Sequence, residues 1–248
     1  MHPSLPRCRL VLFDLDGTLV DSAPDLCAAV AAALRGVGLP PHDVDAVRSM
    51  IGEGQRVLIE RAVTRAGATP STALIDDVLF RFRSYYSEHL VVRTTLYPHV
   101  RETLRALSHD RGLPLAVATN KPGAWARRII EAFDLLDCFG SLSRVLGEDD
   151  VGARKPDPRL LLSLCQAAGV PPAETLMVGD SAIDRQAAAR AGTQFAFCTF
   201  GFGDQETVTG VHADVAAAGA PLGTPTCPYV LDSMAQLLDV PPLRRAAD

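Results

Sequence analysis

The chain has 248 residues, a formal net charge of −5 and 48% hydrophobic residues. This length is sufficient for one large domain, or for a core with a smaller insert, and either buries a sizeable hydrophobic core. The acidic balance leaves no basic stripe for phosphate backbones, which excludes nucleic acid as a partner, and no apolar run approaches the length of a membrane span.

The amino-terminal residues and the cysteines bear on where the protein is located. Residues 1–9 contain Pro3 and Pro6 and no apolar segment of the kind found in signal peptides. The six cysteines are scattered without a Cys-x-x-Cys pair, which is typical of free thiols in a reducing compartment rather than of structural zinc. We therefore expect a soluble, cytoplasmic protein.

The first predicted element is a buried strand over Leu10–Phe13, and two carboxylates follow it at Asp14 and Asp16. Residues two apart in a strand point to the same face, so we expect both carboxylates to meet one ligand. Such close like charges repel unless a cation or proton lies between them, and oxygen ligands favour magnesium. A capped Asp-Gly turn is the alternative, which explains Gly17 and Thr18 but not the carboxylates.

Residues 20–92 are predicted to form a helical block directly after this strand. Ser22 as a cap and Pro24 in the first turn begin a helix that ends at a glycine near residue 36. Almost no strand pattern occurs in the block, and three further helical patterns follow, at 43–50, 55–66 and 71–90.

After residue 92 the pattern changes to strands that alternate with helices. Strands are predicted at 113–118, 144–146, 175–178, 194–199 and 229–231. Helices are predicted at 100–107, 123–133, 157–168, 182–191 and 233–238. This alternation predicts an α/β fold with a doubly wound, mostly parallel sheet. We expect residues 1–19 and 93–248 to form the core domain, residues 20–92 a small helical domain, and residues 211–228 an irregular surface excursion.

Polar residues follow three of the predicted strands, at the edge where open α/β sheets bind ligands. Besides the paired aspartates they are Thr119, Asn120, Asp180, Ser181 and, one helical turn further, Asp184. Lys155, one of only two lysines in the chain, lies in the loop between them. Each residue alone has an ordinary alternative, as a helix cap or a solvated charge. Together they indicate one site.

The segments 14–18, 119–120, 155–156 and 179–184 resemble, in order and spacing, the four motifs of the haloacid dehalogenase superfamily. The helical block resembles the small helical cap of that superfamily. Within it the chain is most similar to the bacterial phosphoglycolate phosphatases, over nearly its whole length except residues 211–228. The four motifs are highly specific for the superfamily and much less so for the substrate.

The resemblance implies a role for each residue of the site. Asp14 would be the nucleophile, and Asp16 would protonate the leaving alkoxide and then deprotonate the attacking water. Mg²⁺ would bind Asp14, Asp180 and the backbone carbonyl of Asp16. The phosphoryl group would be bound by Lys155, Thr119, the amide of Asn120 and Thr18, while Ser181 and Asp184 would orient these ligands.

Asp16 also indicates which chemistry of the superfamily to expect. Related dehalogenases lack this second aspartate because halide needs no proton, and cation-pumping ATPases have threonine there. Phosphonatases use a cap lysine, whereas no lysine precedes Lys121 in this chain. The resemblance therefore implies a magnesium-dependent phosphomonoester hydrolase that acts on a small phosphorylated metabolite.

The helical block is expected to select the substrate through the loop Gly52, Glu53 and Gly54. The loop enters a helix whose amino end favours anions, although a plain turn between helices is the alternative. Glu53 disfavours a substrate with a carboxylate unless Arg56 or Arg61 compensates for its charge. The alternative is that these arginines are solvated charges on the helix surface. We expect 2-phosphoglycolate; the alternatives are a sugar phosphate, an amino-sugar phosphate, pyrophosphate, or a non-catalytic phosphate-binding module. The sequence is compatible with a monomer or a homodimer.

Overall fold

The computed structural model describes residues 7–203, 223–224 and 228–243. Its strands, in chain order, are β1 (Leu10–Phe13), β2 (Val20–Asp21), β3 (Thr95–Leu96), β4 (Leu115–Ala118), β5 (Val145–Leu146), β6 (Thr175–Gly179), β7 (Gln194–Cys198) and β8 (Tyr229–Leu231). A six-stranded sheet has the order β5-β4-β1-β6-β7-β8, and every neighbouring pair in it is parallel. The predicted α/β class with a doubly wound parallel sheet is confirmed.

The α-helices, in chain order, are α1 (Ala23–Arg35), α2 (Val44–Arg48), α3 (Gln55–Arg65), α4 (Thr72–Glu88), α5 (Val100–Arg105), α6 (Gly123–Ala132), α7 (Leu136–Phe139), α8 (Glu148–Val151), α9 (Arg159–Ala168) and α10 (Ala182–Ala191). Helices α1 to α4 lie between β2 and β3, and we call them the helical insert. None of the helices in the described part of the chain is long and apolar enough to cross a membrane. The assignment of residues 20–92 as a separate domain stays a prediction.

Several short elements differ from the expectations, among them α7 and α8, which were not predicted. The helix predicted at 233–238 is a 3₁₀ helix over Met234–Asp239. Strands β2 and β3 pair antiparallel where the chain enters and leaves the insert, and their two residues each are too few to give a sequence pattern. Most of the excursion predicted at 211–228 lies outside the described residues.

The two faces of the parallel sheet are covered by two apolar clusters. Because side chains alternate along a strand, Val11 and Phe13 face the larger cluster, which also contains the buried residues of the insert. Leu10 and Leu12 face the second cluster, formed with α9 and α10. The carboxyl ends of the central strands are thereby held rigidly between two packed layers.

Asp25 of α1 ties the insert to the segment that leads out of it. Its buried carboxylate accepts hydrogen bonds from the backbone N–H groups of Val92, Arg93 and Thr94 at 2.8 to 3.0 Å. The hydroxyl of Thr94 donates to the same carboxylate at 2.8 Å. These hydrogen bonds outweigh burial, which alone would raise the pKa, and hold the pKa of Asp25 below its usual value.

Candidate active site

The neighbouring strands β4, β1 and β6 end at one edge of the sheet, where Thr119, Asp14 and Asp180 follow them. All three side chains are buried. Parallel strands present their carboxyl ends together, which is why residues more than 160 positions apart in the sequence meet here. The expected convergence of polar groups at this edge is what the structure shows.

Asp14, Asp180 and Asp184 form a buried cluster in which one carboxylate oxygen of each lies within 4.8 Å of the others. Burial, the largest cause, raises the pKa of Asp14 to about 7, against the opposing charge of Lys155. Burial and the charges of Asp184 and Asp14 raise the pKa of Asp180 well above its usual value. A divalent cation among these oxygens would relieve the repulsion, so the residues fit a hard metal ion.

Lys155 is buried between two of these carboxylates. Its Nζ lies 2.8 Å from Oδ1 of Asp14 and 2.7 Å from Oδ1 of Asp184. Burial alone would lower its pKa, but the two carboxylates outweigh burial and raise the pKa of Lys155 to about 12. The backbone N–H of Leu15 also donates to Oδ1 of Asp14, at 2.7 Å. Both donors thus engage Oδ1 and leave the other oxygen, Oδ2, to other partners.

The carboxylate of Asp16 lies outside this cluster but lines the same cavity as Asp14, so the expectation that the paired aspartates face one ligand stays a prediction. Strand β1 ends at Phe13, so the alternation of a strand does not extend to Asp16. Its side chain accepts hydrogen bonds from Nζ of Lys121, at 2.9 Å to each oxygen, and from the hydroxyl of Ser22. Ser22 precedes α1 as predicted but makes no side-chain cap.

Lys121 is a site residue that the sequence interpretation did not assign. It is 7% exposed, and its Nζ lies 4.9 Å from the ring centroid of Tyr86 in α4. Burial alone would lower its pKa, but the charge of Asp16 holds the pKa of Lys121 well above its usual value. The signal available in the sequence was the rarity of lysine, which occurs only twice.

Charge also favours a divalent cation at this edge. Six charged side chains converge there: Asp14, Asp16, Asp180, Asp184, Lys121 and Lys155. When all six are ionised, the carboxylates exceed the ammonium groups by two charges, which one divalent cation would balance.

Gly17 and Thr18 both support Asp180. Gly17 has φ +90°, and a Cβ at this position would collide with the carboxylate of Asp180. The hydroxyl of Thr18 donates to Oδ1 of Asp180 at 2.9 Å, and Thr18 has no exposed surface. Thr18, predicted to bind substrate, therefore lies behind the carboxylate rather than along the cavity described below.

Two residues predicted at the site hold its loops together. The side-chain amide of Asn120 donates to the carbonyls of Gly52 and Lys155 at 3.0 Å each, and its Oδ1 accepts from the backbone N–H of Lys155 at 2.7 Å. Ser181 caps α10, and its hydroxyl donates to Oδ2 of Asp184 at 2.6 Å. Through Asn120 the insert loop contacts the core at the site.

A cavity of about 50 Å³ lies between the sheet edge and the insert. Asp14, Asp16, Thr119, Asn120 and Lys121 line its core side, and Gly52, Gly54 and Gln55 line its insert side. The remaining lining is aliphatic and aromatic, from Leu26, Ile51, Leu58, Phe82, Tyr86 and Trp125. The cavity thus provides space for a small ligand beside Asp14.

Gln55, the first residue of α3, presents a free donor at this cavity. Its Oε1 accepts from Nε of Arg83 at 2.7 Å, which fixes the orientation of the amide. Its Nε2 is buried and has no hydrogen-bond partner among the described residues, and the side chain is 8% exposed. A buried unpaired N–H is unfavourable, so this atom is suited to an acceptor on a ligand.

The three charged residues predicted around the loop lie elsewhere. Glu53 forms an ion pair with Arg61, so its charge is compensated as one of the expected alternatives requires. Arg56 pairs with Asp76 at 2.7 Å and with Glu60 at 3.3 Å on the surface of the insert. None of these three side chains lines the cavity.

Comparison with known proteins identifies relatives over most of the chain. A family model for haloacid dehalogenase-like hydrolases matches residues 8–192. A phosphoglycolate phosphatase of Pseudomonas putida is 41% identical over 196 residues, covering 78% of this chain and 70% of the relative. One of Escherichia coli K12 is 41% identical over 224 residues, covering 84% and 87%. The crystal structure of a predicted phosphoglycolate phosphatase from Haemophilus somnus matches with a TM-score of 0.80 and 33% identity, covering 94% of this chain and 97% of the other.

Proposed function

This chain belongs to the haloacid dehalogenase-like hydrolases and is a phosphatase, and from that premise we propose that it hydrolyses 2-phosphoglycolate with Asp14 as nucleophile. The family resemblance inferred from the four motifs is confirmed. The substrate, the aspartyl-phosphate intermediate, the identity of the metal and the roles of the individual residues belong to the proposal.

The observation that carries the substrate assignment is the cavity beside Asp14. It is partly enclosed by the insert and is lined by Gln55, whose Nε2 is buried and unpaired. A short leaving group with acceptor oxygens matches both properties. Glycolate is short, and its carboxylate supplies the acceptor oxygens. Since Glu53 is paired with Arg61 outside the cavity, its charge does not oppose a carboxylate there.

The chemistry follows from the positions of the two aspartates. Oδ2 of Asp14 attacks phosphorus, the bond from phosphorus to the ester oxygen breaks, and Asp16, which enters this step as the carboxylic acid, gives its proton to the departing alkoxide. Asp16 then takes a proton from a water molecule whose oxygen attacks the same phosphorus. The bond to Asp14 breaks, which restores the carboxylate and releases phosphate.

The surrounding residues hold the phosphoryl group in place for both steps. Lys155 and Thr119 lie beside the nucleophile, with Lys155 already within 2.8 Å of Asp14. Mg²⁺, bound by Asp14, Asp180 and the backbone carbonyl of Asp16, would neutralise charge between the nucleophile and the phosphoryl group. Asp184 orients Lys155 through its ion pair of 2.7 Å.

The alternatives fit less well. A sugar or amino-sugar leaving group offers only hydroxyl acceptors to Nε2 of Gln55, whereas glycolate offers a charged carboxylate, which accepts the stronger hydrogen bond. A non-catalytic phosphate-binding module would have no need for a nucleophile, a second aspartate and a carboxylate cluster in one site. A cytoplasmic location is part of the same proposal, because the described cysteines are unpaired thiols.

A substrate panel tests the proposal. The purified protein is assayed on 2-phosphoglycolate, hexose phosphates, glucosamine phosphate and pyrophosphate, with Mg²⁺ and with EDTA. We expect the highest kcat/KM for 2-phosphoglycolate and no activity in EDTA. Another substrate that is better by tenfold or more would refute the glycolate assignment, and Asp14→Asn that retains activity would refute the covalent route.

A further inference from the structure

The ion pair of Lys121 with Asp16 is the best-defined contact of the site to which the proposed steps give no role. Nζ of Lys121 lies 2.9 Å from both carboxylate oxygens of Asp16, in a setting where both side chains are largely buried. The two residues are 105 positions apart in the sequence and approach each other across the ends of β1 and β4. Both line the cavity that receives the leaving group.

The two lysines of the chain divide between the two halves of the site. Lys155 contacts Asp14 and Asp184, on the side of the nucleophile. The only ion pair that Lys121 makes with the described residues is with Asp16. Lys121 is thus positioned to influence the protonation and departure of the leaving group rather than the attack on phosphorus.

We propose that Lys121 is a positioning residue that fixes the carboxylate of Asp16 toward the leaving-group oxygen. This inference rests on the proposed function, since it assumes that Asp16 transfers a proton to the leaving group. Two N–H groups of Lys121 and the hydroxyl of Ser22 bind the carboxylate, so that it is held against rotation. A general acid held within reach of its target contributes about 10²- to 10⁴-fold to the rate.

The insert completes this arrangement. Tyr86 of α4 is fully buried, and its ring lies 4.9 Å from Nζ of Lys121, which is the distance of a cation–π contact. Ser22 lies directly before α1. Asp16 is therefore held by Lys121 of the core and by Ser22 at the start of the insert. Lys121 in turn contacts the insert through the ring of Tyr86.

Substrates of similar size separate this role from a structural one. 2-Phosphoglycolate and ethyl phosphate release an alkoxide that needs a proton, whereas acetyl phosphate releases acetate, which needs none. Ethyl phosphate carries no carboxylate, so its loss in kcat/KM should match that of 2-phosphoglycolate if Lys121 acts through Asp16 rather than on the glycolate carboxylate. The parameter is kcat/KM, because it reports the steps up to departure of the leaving group. Lys121→Met is compared with Lys121→Arg, whose guanidinium also donates two N–H groups to a carboxylate.

For Lys121→Met we expect kcat/KM to fall about 100-fold or more on 2-phosphoglycolate and less than about threefold on acetyl phosphate. Lys121→Arg should recover at least about tenfold of the loss on 2-phosphoglycolate. Arg48→Met is the control, because Arg48 also links the insert to the core, through Asp21 and the ring of Phe202, without touching Asp16. Its effect should be equal on both substrates.

The outcomes separate this inference from the proposed function. If Lys121→Met loses the same factor on both substrates, Lys121 does not act through Asp16 and the inference is overturned. If the wild-type enzyme prefers another alkyl phosphate, that ester replaces 2-phosphoglycolate in the comparison, and only the glycolate assignment fails. If the wild-type enzyme hydrolyses neither ester with Mg²⁺, both the proposed function and the inference fail.

Discussion

Gly17 lies so close to the carboxylate of Asp180 that a single Cβ at position 17 would overlap it. The backbone at Gly17 has φ +90°, a conformation that residues with a Cβ rarely adopt. A glycine in the segment after β1 is thus required twice, by its conformation and by the space it leaves for a carboxylate from β6. This contact makes the cluster of Asp14, Asp180 and Asp184 depend on a residue that has no side chain.

Gly17→Ala is predicted to weaken metal binding. The added Cβ displaces Asp180, so we expect kcat to fall about 10- to 100-fold, the size of effect seen when supporting residues of a metal site are changed. Isothermal titration with Mg²⁺ measures the loss of affinity directly. Gly38→Ala is the matched control, because Gly38 has φ +77° but nothing within 4 Å of its added Cβ. It should lose about 1 kcal/mol of stability from backbone strain and keep its activity.

The raised pKa values of Asp14 and Asp180 predict that Mg²⁺ binding releases protons. Without metal, the folded protein binds protons at these carboxylates more tightly than the unfolded chain, so their contribution to stability falls as the pH rises toward the pKa of about 7 of Asp14. Mg²⁺ requires the ionised forms. The rise in Tm caused by Mg²⁺ should therefore be larger at pH 8 than at pH 6. An equal rise at both values would contradict the prediction.

Asp25→Ala is predicted to loosen the attachment of the insert. It removes a buried carboxylate that accepts three backbone N–H groups and one hydroxyl, for a loss of about 3 kcal/mol in the free energy of unfolding. The lowered pKa of Asp25 means that this stabilisation is present at neutral pH and disappears as the pH falls through that value. Urea unfolding at neutral and acid pH measures both.

The control for this change is Asp77→Ala. Asp77 pairs with Arg81 one turn along α4, with both side chains nearly half exposed. Exposed pairs of this kind contribute about 0.5 kcal/mol or less. If the two variants unfold at the same urea concentration, Asp25 does not anchor the insert.

The sequence was informative where chemistry follows a strand, and less so where two distant side chains meet. Asp14, Thr119 and Asp180 could be predicted to converge because parallel strands end at one edge. The contact of Asp16 with Lys121 could not be predicted, because it depends on the conformation of the two loops that follow β1 and β4. The position of the Asp16 carboxylate outside the cluster of Asp14, Asp180 and Asp184 could not be predicted either, because the strand ends one residue before Asp14.

The insert shows the same limit. Its four helices follow from sequence periodicity, and their bounds agree with the predicted ones to within a few residues. Which of their polar residues face the cavity does not follow from periodicity. Gln55 faces it, whereas Arg56, the next residue, pairs with Asp76 on the surface.

Gln55→Glu is predicted to discriminate against substrates that carry a carboxylate. In the variant, one carboxylate oxygen of the glutamate would still accept the hydrogen bond from Arg83, as Oε1 of Gln55 does. The other oxygen would take the place of the unpaired Nε2 at the cavity. We expect KM for 2-phosphoglycolate to rise about 10- to 100-fold, the equivalent of one hydrogen bond to a charged group. Ethyl phosphate has the same ester bond without the carboxylate, so its KM should change less than about threefold. Equal changes for both esters would show that the amide of Gln55 does not bind the carboxylate, and the pocket for the leaving group would then have to be sought among the backbone N–H groups at Gly52 and Gly54.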